Sequence, residues 1–194
     1  MEDYARISVK YPLIIGIPLT VVIFTLAEPI VIGIFGAAFQ GAIMPLQILI
    51  FGTFLLMFGH TLSSILIGIG KPRISGMILA GAAIQYLISL FILVPIFGFN
   101  GAAISLTLTG ITTLILIPLI IKRNLNVDIF SGFHKILFSG IILAILLFII
   151  RETSPIILTI GMITSIIVYV LLLRYTGYLT KDDIDLLKAA RAQS

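Results

Sequence analysis

The sequence predicts an all-α, polytopic membrane protein of about six transmembrane helices packed as an antiparallel bundle, with both termini cytoplasmic. Three observations carry this expectation. Of 194 residues, 60% are hydrophobic and only 10% charged, and the mean hydropathy is +1.26, whereas soluble domains carry roughly 25% charged residues. Charge is missing over whole stretches: no Asp, Glu, Lys, Arg or His lies between Ile74 and Ile121, and His60 is the only one between Pro29 and Ile69. The basic residues that remain gather on alternate loops.

About 20 apolar residues cross the hydrocarbon once, and the chain divides into six such spans. The first is Leu13 to Phe35. Arg6 and Lys10 precede it as they would a cleaved leader, but the apolar run outlasts an h-region of about 7 to 15 residues, and Glu2 and Asp3 spoil a basic start. Ala42 to Ile69, Ile74 to Phe97 and Ala102 to Ile121 follow, separated by Gly36-Ala37-Ala38-Phe39-Gln40-Gly41, Gly70-Lys71-Pro72-Arg73 and Gly98-Phe99-Asn100-Gly101. Each break joins permissive glycines to a turn-former or proline, as tight turns between antiparallel helices require. The fifth span, His134 to Ile150, follows a longer connection from Lys122 to Phe133. Its uncharged part is only Ile136 to Ile150, so Lys135 and Arg151 are expected to snorkel outward. After the turn at Arg151-Glu152-Thr153-Ser154, the sixth runs from Pro155 to Leu173. Runs such as Ile141 to Leu147 lack the alternating polarity of a barrel strand, which leaves helix as the spanning structure.

With six spans the loops alternate sides. One side collects Arg6, Lys10, Lys71, Arg73, Lys122, Arg123, Lys135, Arg174, Lys181, Lys188 and Arg191; the other has Arg151 alone. The positive-inside rule makes the first side cytoplasmic, so the turns at Gly36, Gly98 and Arg151 face outward. Beyond residue 174 the chain turns polar. Thr180 with Asp182 and Asp183 reads as the cap and acidic first turn of a short surface helix, and capping explains the Asp182, Asp183 and Asp185 cluster.

The composition also excludes chemistry. There is no cysteine, hence no disulfide framework, thiolate zinc site or Cys nucleophile. No hydrolase elbow, P-loop, dinucleotide fingerprint or zinc-binding helix is present, and the scattered basic residues form no nucleic-acid stripe. The expectation is a non-enzyme with no cofactor, no metal and no nucleic-acid partner. Ionisable groups at membrane depth are the functional suspects, because burying them is costly unless they meet water or a partner. Glu28, before Pro29 in the outer part of the first span, is a candidate for a coupling ion or a cavity. His60 is the second; with Thr53 and Ser64 it shares a helical face beside Gly52 and Gly59, a polar seam expected to point toward other helices. Its cytoplasmic-half position argues against a direct pair with Glu28. Gly81, Gln85 and Ser89 on the third span, and Ser105, Thr109 and Thr112 on the fourth, mark helix contact faces. Gln85 is the third candidate, since its amide needs several partners. Pro12, Pro18, Pro29 and Pro45 favour a bending helix in a moving protein.

The order of features resembles a known family: Ile17-Pro18-Leu19 opening a helix, Phe35-Gly36 ending it, Gly70-Lys71-Pro72-Arg73 after the next, then Phe97-Gly98-Phe99-Asn100-Gly101-Ala102-Ala103. The tail from Leu179 to Leu187 adds to the likeness. This is similar to the polysaccharide biosynthesis and oligosaccharide flippase branch of the multidrug/oligosaccharidyl-lipid/polysaccharide exporter superfamily. The resemblance implies a two-lobed transporter of 12 to 14 helices moving lipid-linked glycans across the cytoplasmic membrane by alternating access. This chain corresponds to its last six helices, incomplete alone and suited to pair with an N-terminal-half polypeptide. The alternatives are a cation-coupled multidrug exporter, in which Glu28 would hold the ion, and a non-transporting assembly subunit. A membrane enzyme on lipid phosphates would show paired acids at the interface, and only isolated ones occur.

Overall fold

Runs without charge leave the backbone no water to bond, so its polar groups are satisfied inside helices. The computed structural model describes residues 2–124, 133–151 and 153–178, and these are helical apart from short connections. Seven α-helices are described: α1 (Glu2–Thr25), α2 (Ala27–Phe35), α3 (Ile43–Gly68), α4 (Pro72–Phe97), α5 (Phe99–Asn124), α6 (Phe133–Ile150) and α7 (Pro155–Tyr175). Among the described residues, six helices are long and apolar enough to cross a membrane. The chain is a multi-pass, all-α membrane protein. The expectations placed on the Thr180–Asp185 cap, the acidic tail and most of the 122–133 connection lie outside the described residues.

The first span is corrected. A single helix from Leu13 to Phe35 was expected, but α1 begins at Glu2 and the helix is interrupted at Leu26 (φ −99°, ψ 17°) before α2 resumes. The cause is Pro29, which has no N–H to offer the carbonyl one turn back, at Thr25. Pro12 and Pro18, by contrast, lie inside an unbroken α1. The connection from α2 to α3 is also more ordered than a tight turn: Ala37–Ala42 forms a 3-10 helix that leads straight into α3.

The chain forms two compact units, Met1–Ile129 and Phe130–Ser194. In the first, α1 packs antiparallel to α3, with Gly16 against Phe54 and Met57. α3 packs along α5, and α5 along α4. Helices α3 and α5 run parallel, since Gly52 faces Thr107 and Gly59 faces Thr113. Sequence neighbours α3 and α4 meet near their shared turn, where the buried hydroxyls of Ser63 and Ser75 are hydrogen-bonded. The row is therefore α1, α3, α5, α4, and α4, at its end, buries only Ser75 and Ala82.

The turn between α3 and α4 is a Schellman motif. Gly70 adopts φ +80°, its N–H donates to the Ile67 carbonyl at 3.0 Å, and the Lys71 N–H donates to Leu66 at 2.9 Å. The left-handed conformation suits glycine, which has no Cβ to clash. Helix α7 ends the same way: Gly177 has φ +68° and the Tyr178 N–H reaches the Leu173 carbonyl at 3.0 Å.

In the second unit α6 and α7 form a hairpin. Arg151 closes it, its guanidinium 4.2 Å over the Phe148 ring. Lys135 does not simply snorkel outward. Its Nζ donates to the Thr176 carbonyl at 2.9 Å, placing a cation on the negative end of α7. Lys135→Met keeps the apolar stem and removes this bond, so we expect a stability loss of about 1 kcal/mol, read as a lower midpoint in a detergent-denaturant titration; an unchanged midpoint would make the contact energetically silent.

Candidate functional site

Helix α5 carries the hydroxyls of Ser105, Thr107, Thr109, Thr112 and Thr113, and each is spent on a carbonyl within the bundle. Ser105, Thr109 and Thr112 donate to the carbonyls of Gly101, Ser105 and Leu108 at 2.8, 2.9 and 3.0 Å. Thr113 donates back to Thr109 at 3.1 Å. This local bonding satisfies a hydroxyl that has no water. Thr107 does more: its Oγ1 lies 2.9 Å from the Ala103 carbonyl and 3.2 Å from the Ile48 carbonyl of α3, so one hydroxyl bridges two helices. Sequence reasoning missed Thr107. Its signal was its position facing Gly52, visible only once α3 and α5 are paired.

Gln85 meets the polar partner that its amide needs. Its Nε2 donates to Thr112 Oγ1 at 2.9 Å, and this bridge from α4 to α5 lies on an open groove of about 470 Å³. Ile74, Met77, Ile78 and Gly81 line the groove on α4, Thr113 and Leu116 on α5. Gly81 is not the close-approach position its spacing suggested: a Cβ there would meet nothing within 4 Å.

His60 is placed differently from the expectation. Gly52 and Gly59 do turn inward, against α5, but Thr53, His60 and Ser64 are exposed. The reason is angular, since Gly52 and Thr53 are consecutive and so about 100° apart on a helix. Ser64 spends its hydroxyl on the His60 carbonyl at 3.2 Å. With Met57 and Ile67 the outward residues form a line, Thr53, Met57, His60, Ser64, Ile67, at alternate intervals of four and three.

Glu28 is exposed in the first turn of α2, next to the helix break. There Gln47 of α3, another residue the sequence did not single out, donates its Nε2 to the Phe24 carbonyl at 3.0 Å. The side chain holds the interrupted end of α1 against α3. Glu28 lies on α2 and His60 17 residues into α3, so the three candidates occupy three separate places: Glu28 at the break, His60 on the exposed face of α3, Gln85 at the groove. Among the described residues no group of three His, Asp or Glu side chains could hold a metal ion.

Comparison with known proteins adds one relative. The chain is 39% identical over 95 residues to an uncharacterized membrane protein of Methanocaldococcus jannaschii; the match covers 49% of this chain and 19% of that protein, so the chain spans less than a fifth of its length. No family model and no solved structure matches the chain.

Proposed function

We propose that the chain is the C-terminal part of a cytoplasmic-membrane transporter that flips lipid-linked oligosaccharide or polysaccharide precursors, completed by further helices such as an N-terminal-half polypeptide. The reading begins from the resemblance of its turns to the flippase family, and one structural observation carries it: Thr53, His60 and Ser64 are exposed on a face of α3 turned away from α5, beside Met57, which packs on Gly16 of α1. An imidazole at membrane depth calls for a water-filled cavity or a partner helix. A path for a glycan headgroup needs a wall of this kind, polar and free of carboxylate, Lys and Arg side chains, on a helix whose opposite face is locked to its neighbour. Transport, and not enzymology, is the activity that such a wall serves.

The four-three spacing of the same line favours a second reading, a seam for another membrane helix, as in a non-transporting assembly subunit. The absence of cysteine makes the test clean. Thr53→Cys, His60→Cys and Ser64→Cys, each in the membrane-inserted protein, are treated with a membrane-impermeant maleimide, with the exposed Ile88→Cys of α4 as the lipid-facing control. The transporter reading expects labelling of all three at least about ten-fold above the control. Labelling no greater than at Ile88→Cys removes the cavity and with it this reading.

A further inference from the structure

The groove between α4 and α5 has dimensions and surroundings of its own. From Ile74 at its inner end to Gln85 at the α4–α5 bridge is eleven residues, about 16 Å of helix. That is close to half of a hydrocarbon core about 30 Å thick. The positive-inside tally puts Lys71 and Arg73 on the cytoplasmic side. The groove therefore begins at the inner interface and ends at the membrane midplane, where the Gln85–Thr112 bridge closes it. Its walls are otherwise apolar apart from Thr113, whose hydroxyl is spent on its own helix.

Its mouth is basic. Arg73 directly precedes Ile74, is exposed, and stands beside Lys71 in the turn. Basic residues at the cytoplasmic mouth of an interhelical groove suit an anionic lipid headgroup, and a guanidinium can grip a phosphate with two parallel bonds. A groove of one leaflet's depth, open along its length and basic at its interfacial end, matches one lipid molecule in the orientation it already has in the inner leaflet.

We infer that the α4–α5 groove is a binding site for an anionic phospholipid of the cytoplasmic leaflet, its phosphate on Arg73 and one acyl chain laid from Ile74 to the Gln85–Thr112 bridge. This goes beyond the transport reading and does not depend on it: Thr53, His60 and Ser64 are not among the residues lining the groove.

Gly81 makes the inference testable without disturbing the fold. A Cβ there meets nothing within 4 Å, so a side chain starts in the open space of the groove. The purified protein in mild detergent is titrated with phosphatidylglycerol and, separately, phosphatidylcholine, and bound lipid is counted by native mass spectrometry. The wild type is expected to bind one phosphatidylglycerol with about ten-fold preference over phosphatidylcholine, undiminished by excess inorganic phosphate. Arg73→Gln should reduce the preference to about two-fold or less, and Gly81→Leu should weaken phosphatidylglycerol binding about ten-fold with the circular dichroism spectrum unchanged. Equal binding of the two lipids, displacement by free phosphate, or undiminished binding to a folded Gly81→Leu protein would each overturn the site.

Discussion

Gly52→Leu is expected to force α3 away from α5 and to cost about 3 kcal/mol or more, near the upper end for overpacking a core. A Cβ at residue 52 would lie 2.5 Å from Thr107 Oγ1 and 2.9 Å from both the Thr107 Cα and its backbone nitrogen. A side chain tip could rotate away; a backbone cannot. Even Gly52→Ala must shift one helix, for an expected loss of about 1 to 2 kcal/mol. The same shift would stretch the bond from Thr107 to the Ile48 carbonyl, 3.2 Å in the native packing. Far-UV circular dichroism followed through an SDS titration measures the change. Gly76→Ala is the control, because nothing lies within 4 Å of it and replacing an unencumbered helical glycine by alanine gains about 0.5 to 1 kcal/mol. Equal midpoints for Gly52→Leu and wild type would mean that α3 and α5 are not in van der Waals contact at this point.

The second large effect is at the outer turn between α4 and α5. At Gly101 a Cβ would collide with the Leu93 carbonyl and lie 2.8 Å from the Val94 nitrogen, all of it backbone. Three residues earlier Gly98 holds φ +57° and ψ −134°, a conformation in which side-chain-bearing residues are strained by about 1 to 3 kcal/mol. Gly101→Ala is expected to cost about 2 to 4 kcal/mol, in the range of severe core changes. The two substitutions share one turn, so Gly98→Ala with Gly101→Ala should cost less than the sum of the singles. A second readout is local: Phe97 and Phe99 flank the turn and are exposed, so chymotrypsin should cut there faster once the turn is displaced. A stable, protease-resistant Gly101→Ala protein would contradict the close approach of α5 to α4.

How much of this the sequence discloses depends on the range over which each cause acts. Span positions were legible because hydropathy is a sum over neighbours, and the glycine turns at Gly70 and Gly98 because a left-handed φ is a local demand. Ser105, Thr109 and Thr112 were legible as a polar face, while the bonding of their hydroxyls to their own helix appears only in the structure. The break at Leu26 was only half visible: Pro29 announced a disturbance, but the side chain that supports the open turn, Gln47, comes from another helix. The direction of His60 was misread because its neighbours Gly52 and Gly59 are a packing stripe, and a polar residue near such a stripe seems to belong to it. One residue of offset turns it outward. Gln85 was identified as an amide in need of partners; that one partner is Thr112 follows from the pairing of α4 with α5, which no local pattern encodes.

The parallel pairing of α3 with α5 also has a history in time. Its hydrogen bond from Thr107 to Ile48 spans 59 residues of sequence, while the Ser63–Ser75 contact of the α3–α4 turn spans 12. At about 5 to 20 residues per second of synthesis, α3 waits roughly 3 to 12 seconds for its principal neighbour to be made, against about a microsecond for a helix to form. During that interval the glycine stripe of α3 stands bare in the lipid, beside a hairpin partner that grips it only at one end. Docking of this core is therefore a late event, because α3 is complete long before the residue that later bonds to it is made.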